Sequence, residues 1–178
     1  MKKLIILIVL VAGGLWLYGR KLPADLETRS SVTLVARADT VFQTIRKIGN
    51  NPLWWSELKS VRQVPGRRRE TWEQNMGGGI GLVTIEITQL VDGQIMTTQT
   101  TGAEEDGETG PDWTGSWNFR VTNTAAGTRV TMTETLHIEP PFLRIWMKVR
   151  GRYRTVDTYL TSLAGQFGEI ATPQHGDR

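Results

Sequence analysis

The chain has no cysteine and only two histidines among its 178 residues. Without thiols there is no disulfide frame, no thiolate metal site and no cysteine nucleophile. His137 and His175 lie far apart in sequence and do not make a zinc site, so no metal is expected. Excess charge of one sign is also scarce. Lys and Arg number 21 against 18 Asp and Glu, and the resulting +3 is too mild to argue for nucleic acid. The run Gly77–Gly81, "GGGIG", lacks the Gly-Lys-Ser/Thr ending and the strand–helix setting of a phosphate loop. It reads as a hairpin tip, and no cofactor is implied. Phenylalanine is sparse as well, four against seven tryptophans, so the indoles carry much of the aromatic bulk.

What is present begins with "LIILIVLVAGGLWLYG", residues 4–19, uncharged between Lys2/Lys3 and Arg20/Lys21. With its flanks the run holds about 20 residues, and at about 1.5 Å each it covers roughly 30 Å, the thickness of bilayer hydrocarbon. Flanking Lys and Arg reach headgroups, and Trp16 and Tyr18 suit the interfacial belt. A signal peptide cut after the small residues Ala12 and Gly14 is the rival reading, but it leaves Leu15, Trp16 and Leu17 exposed at the new terminus. The expectation is a single-pass anchor over 1–21. Lys2, Lys3 and the initiating amine favour a cytoplasmic N-terminus, which sets the following domain outside the cytoplasmic membrane.

A linker over 22–27 precedes a domain over 28–172, with a tail over 173–178; a hydrophobic share of 39% suffices for one core. Alternation predicts a first strand over 31–37. Asp39 then suits an N-cap for a helix over 40–48, burying Val41, Phe42, Ile45 and Ile48. Gly49 ends that helix, and Pro52 opens a short second one carrying Trp54 and Trp55. Neighbours on a helix point about 100° apart, so the two indoles do not share one pocket. Short strands joined by turns at Pro65–Gly66 and Asp92–Gly93 follow as an antiparallel meander. An acidic loop, "GAEEDGETGP", leads to two clean alternations. Trp113, Gly115, Trp117, Phe119 and Val121 share one face of the first; Val130, Met132, Glu134, Leu136 and Ile138 share one face of the second. Pro140–Pro141 starts a single long helix whose three-and-four spacing runs from Phe142 to Ile170.

The stretch "VTLVARADTVFQTIRKIGNNPLWWSEL" resembles the opening of SRPBCC or START-like proteins, in the polyketide cyclase/dehydrase branch of bacterial sequences. "GTRVTMTETL" is similar to their last strand and "GRYRTVDTYLTSLAGQF" to their final helix. The resemblance spans about 28–172. It implies an α+β helix-grip fold: a curved antiparallel β-sheet wrapped around a long C-terminal helix, with two short helices after the first strand; the N-terminal hydrophobic helix, read from its apolar run, precedes it. It also implies a deep cavity for an apolar small molecule or lipid, and no universal catalytic residue.

Within that frame Trp55, beside the polar Ser56–Glu57, is assigned to the cavity mouth and Trp54 to the core. Trp72, Trp113, Trp117, Phe119, Met132 and Trp146 are the candidate cavity wall, since indoles offer large rigid apolar area. Glu134 points inward if its strand is regular, and burial there raises its pKa. It is a candidate acid or base, or a handle for a ligand hydroxyl; a bulge or an arginine partner would instead make it structural. His137 falls on the solvent face, and His175 in the tail has no expected role. Arg67, Arg68 and Arg69 are candidates to face the membrane, as is the run Arg144, Lys148, Arg150, Arg152 and Arg154; a solvated surface is the plainer reading of both. Three functions follow. The first is membrane-tethered binding of an apolar ligand; the second is cyclase- or dehydratase-like catalysis through Glu134; the third is a protein-interaction module whose cavity is filled by its own side chains.

Overall fold

The computed structural model describes residues 2–77, 81–101 and 113–176. Gly78–Ile80 of the glycine-rich tip and the acidic loop before Trp113 lie outside the described residues. The elements run α1 (Lys2–Lys21), β1 (Asp25–Leu34), α2 (Ala38–Arg46), a 3-10 segment (Ile48–Leu53), β2 (Ser60–Val64), β3 (Thr71–Asn75), β4 (Leu82–Val91) and β5 (Ile95–Thr101). They continue with β6 (Trp113–Thr124), β7 (Gly127–Ile138), α3 (Pro141–Arg150), α4 (Arg154–Gln166) and β8 (Gln174–His175). All eight strands form one antiparallel sheet in the order β2-β3-β4-β5-β6-β7-β1-β8. This is the helix-grip arrangement, α+β, with the helices after β7 held against the sheet.

The period of two decides which side chains meet the helices. On β7, Val130, Met132, Glu134, Leu136 and Ile138 are all buried, and on β6 so are Trp117, Phe119 and Val121. α4 answers with Val156, Tyr159, Leu160, Leu163 and Ala164, each at most 1% exposed. α2 adds Val41, Phe42 and Ile45 at the spacing expected. Each fully buried side chain of this kind contributes about 1.5–3 kcal/mol, so the sheet–α4 contact contributes substantially to stability.

Several boundaries differ from the sequence reading. β1 starts at Asp25, inside the stretch read as a linker, because the whole of Asp25–Leu34 pairs with β7. Arg37 takes the N-cap position of α2; Asp39 sits in the first turn and accepts the Thr40 amide at 2.9 Å. The Pro52 segment is 3-10 and ends before Trp54. The long C-terminal helix is two helices, broken where Gly151 takes φ +96, a value that favours glycine. The tail returns as β8, pairing Gln174 and His175 with Ser31 and Ser30 of β1.

α1 stands apart. Leu4 to Val11 are each more than half exposed, and Gly19 is its one buried residue. There the helix meets α3: a side chain on Gly19 would collide with the Pro141 carbonyl, and Lys148 Nζ donates to the Tyr18 hydroxyl at 2.7 Å. Arg144 completes the corner, donating to the carbonyls of Ile138, Leu22 and Glu139.

Candidate functional site

Between β6–β7 and α3 lies a cavity of about 490 Å³. It is open space, not filled by side chains of the described residues. Trp113 and Trp117 reach it from β6, and Leu136 and Ile138 from β7. Gly115 sits between the two indoles on the same face. A Cβ there would lie 2.7 Å from Leu136 Cδ2, 3.0 Å from the Thr135 carbonyl and 3.4 Å from the Trp113 ring. The missing side chain is what lets Leu136 and Trp113 lie against the strand. α3 supplies the roof through Phe142, Leu143, Trp146, Met147 and Arg150, positions three and four apart that share one helix face.

Among the described residues one carboxyl enters this apolar space. Glu134 is 3% exposed and lines the cavity. Its register neighbours on both sides hold it: Trp117 Nε1 of β6 donates to Oε1 at 2.8 Å, and the Thr28 hydroxyl of β1 to Oε2 at 3.5 Å. Burial pushes its pKa up to about 7, against the Trp117 bond, the Arg150 charge and the Thr28 bond, while Glu57 adds to the rise. Near neutrality the group therefore exists in both protonation states, which suits it to give or take a proton.

The entrance is polar. Glu57 receives Arg150 Nη2 at 3.4 Å and Arg154 Nε at 3.0 Å. The Arg150 guanidinium lies over the Trp146 ring, 5.1 Å from its centroid. Met76, Trp146 and Arg150 line both the cavity and an outer groove flanked by Glu57, Lys59 and Arg154. Those three side chains are the partition between inside and outside.

The sequence profile of the family described as polyketide cyclase / dehydrase and lipid transport matches residues 25–161, well over half of the chain. The chain belongs to this family. As a polyketide cyclase/dehydrase-like SRPBCC protein it shares its fold with solved structures of low sequence identity. The Zhui aromatase/cyclase from Streptomyces sp. R1128 superposes with a TM-score of 0.66 at 15% identity, over 80% of this chain and 93% of that one. For a truncated norcoclaurine synthase from Thalictrum flavum the values are 0.61 and 10%, over 80% and 93%. A START superfamily protein from Mycobacterium smegmatis gives 0.57 and 12%, over 79% and 95%. At such identities the likeness carries the fold. No curated protein matches the chain by sequence.

The SRPBCC frame places the sequence-derived candidates unevenly. Trp113, Trp117, Glu134 and Trp146 come together at the cavity. Trp55 does not. It is 2% exposed, edge-on to Trp117 and Tyr159 with centroids 6.4 and 5.0 Å away, and it is the half-buried Trp54 that lies nearer the surface. The 3-10 segment shifts the phase that a helical reading assumes. Phe119 and Met132 are core residues, Phe119 stacking at a tilt on Tyr159 at 5.0 Å. Trp72 lies elsewhere, beside Gly49 and donating to Glu70 at 2.9 Å; Arg46 grips the same carboxylate and holds its pKa below the usual range.

Of the proposed membrane-facing arginines, Arg67, Arg68 and Arg69 are exposed at the β2–β3 turn, and Arg69 pairs with Glu86 at 2.7 Å. His137 is on the solvent side, 2.6 Å from Asp25. His175 is not idle: its ring stacks on Tyr153 at 3.8 Å and contacts Asp157 at 2.8 Å, which in turn accepts Ser30. Arg150 is the residue the sequence reading missed, counted there as surface charge. Its spacing of four from Trp146 was the available signal.

Proposed function

We propose that this SRPBCC domain holds an apolar small molecule or lipid in the space beneath α3, close to a membrane to which α1 tethers it. The open cavity, walled by indoles and aliphatic side chains, is the observation that carries the reading. Its size is within the range of about 300–1,000 Å³ usual for small-molecule sites. The family description, which includes lipid transport, supports it. α1 is long and apolar enough to cross a bilayer, a property it shares with secretion signals. Its seam with α3 at Gly19, Pro141, Tyr18 and Lys148 supports retention as an anchor. With the domain on the outer side, the tether keeps the cavity where apolar ligands partition. The test is organic extraction of the purified full chain followed by mass identification. A stoichiometric apolar molecule is expected; a preparation that yields none, and that takes up none from added lipid, would defeat the reading.

A second reading is acid–base chemistry on the bound molecule, of the cyclase or dehydratase kind. The position of Glu134 favours it: a carboxyl with pKa about 7 inside an apolar site is matched to proton transfer near neutrality. Glu134→Gln is then expected to abolish turnover while ligand affinity persists. Equal turnover in the variant would remove this reading.

A further inference from the structure

We propose that the ligand is an amphiphile with one anionic headgroup, a carboxylate on an apolar tail or ring system, and that Arg150 and Glu134 hold that headgroup between them. This rests on the cavity reading above and adds the class of molecule.

The charges at the entrance do not cancel. Arg150 and Arg154 share one carboxylate, Glu57. Among the described residues, Arg150, Arg154, Glu57 and Glu134 together carry one positive charge in excess with Glu134 protonated and none with it ionised, and Lys59 at the outer groove adds one more. Arg150 is only 15% exposed, and its hydrogen bond to Glu57 is long at 3.4 Å. A guanidinium carries five N–H donors in a planar fork that matches a carboxylate. A withdrawn guanidinium with donors to spare at a cavity wall favours an anion over water or a hydrocarbon. Trp146 covers one face of the guanidinium, so its edge is what remains for a ligand.

Glu134 supplies the other half. Its two oxygens already accept from Trp117 and Thr28. When protonated it also has an O–H to donate, and a ligand carboxylate offers the acceptor. The headgroup would then span Arg150 and Glu134, with its tail against Trp113, Ile138 and Phe142. The cavity equals on the order of 16 water volumes at about 30 Å³ each, from about 490 Å³; that suits one such group and a tail. An ammonium headgroup would meet Arg150.

Proton linkage follows. The charged groups whose fields reach Glu134 are Arg150, which holds its pKa down, and Glu57, which raises it. A bound carboxylate favours the protonated form of Glu134, so binding weakens as pH rises above about 7, by up to about tenfold per unit.

The experiment uses the full chain in zwitterionic lipid nanodiscs and three probes with one tail: phenylhexanoate, phenylhexanol and phenylhexylamine. Affinities are read by titration calorimetry near pH 6 and near pH 8. The acid is expected to bind at least about tenfold more tightly than the alcohol near pH 6, and the amine most weakly. The preference for the acid should shrink by about tenfold near pH 8. Arg150→Met should bring the acid down to the alcohol, and Glu134→Gln should keep the preference while removing its pH slope. If Arg150→Met fails to fold, the ranking and pH slope of the unaltered chain decide. Alcohol binding as tight as acid, or amine tighter than acid, overturns the headgroup proposal and leaves the cavity reading standing. Failure of all three to bind overturns both.

Discussion

The indole nitrogen of Trp117 donates to Glu134 Oε1 across 2.8 Å, bridging two neighbouring strands at the cavity floor. The bond favours the ionised carboxylate and so opposes burial. Trp117→Phe keeps the aromatic bulk and deletes the donor. The Glu134 pKa should then rise further above about 7. Infrared titration of the buried carboxylic acid band, with Glu134→Gln as the blank, measures it; an unchanged midpoint would show that the indole does not tune the group.

Stability should fall with pH because of the same carboxyl. In the unfolded chain Glu134 ionises near 4.5, and in the fold near about 7. Between those values the native state keeps a proton that the unfolded state has lost. Stability from this group is therefore fully present below pH 4.5, declines up to about 7 and is flat above. The loss is on the order of 3 kcal/mol. Urea midpoints for the chain and for Glu134→Gln, compared at both ends of that range, should differ in slope. Parallel curves would assign the effect elsewhere.

The two indoles Trp55 and Trp146 should separate stability from binding. Trp55 is 2% exposed within the core, and its truncation to alanine should cost about 3–5 kcal/mol. Trp146 is 37% exposed at the cavity edge. Its loss should cost less than about 2 kcal/mol and show mainly as weaker ligand uptake. Chemical unfolding read beside lipid binding tests both; equal destabilisation would make Trp146 a core residue.

Gly115→Ala should shrink the hollow. The new methyl meets Leu136 Cδ2 at 2.7 Å and the Thr135 carbonyl at 3.0 Å. Leu136 must turn toward the cavity, while the carbonyl yields less. A loss of about 1–3 kcal/mol is expected, with weaker binding of larger ligands before smaller ones. A melting temperature and ligand size profile equal to those of the parent would refute the crowding.

Gly19→Val should part α1 from α3, because the added carbons collide with backbone of Pro141. The chain has no cysteine, so Tyr18→Cys with Lys148→Cys gives a clean pair for a short bis-maleimide. Cross-linking should be efficient while Gly19 is kept and several-fold weaker once Gly19→Val is added to the pair. Equal yields would mean the seam does not depend on the glycine.

Strand faces were legible because a period of two leaves little freedom once Val130, Met132 and Leu136 are set inward. Glu134 had to follow them, and it does. The helical segments were harder. Trp54 and Trp55 follow a 3-10 segment, whose turn differs from 3.6 residues, so their phase was misjudged. Gly151 lies inside a three-and-four pattern that runs on past it, so the glycine signals a local weakening or bend and not the full break at φ +96. Arg150 was hidden by its charge: a lone sequence puts arginine in solvent by default, and only its partners Glu57 and Trp146 explain its burial. His175 belongs to a two-residue strand, too short for any periodic signal.

The break at Gly151 divides the C-terminal segment by task. α4 carries six buried side chains and α3 none. Replacements of the α3 side chains that face the hollow therefore change its wall at little expense to the core, whereas replacements along the inner face of α4 remove core contacts. The roof of the hollow can thus vary within a ten-residue helix while most of the core lies elsewhere.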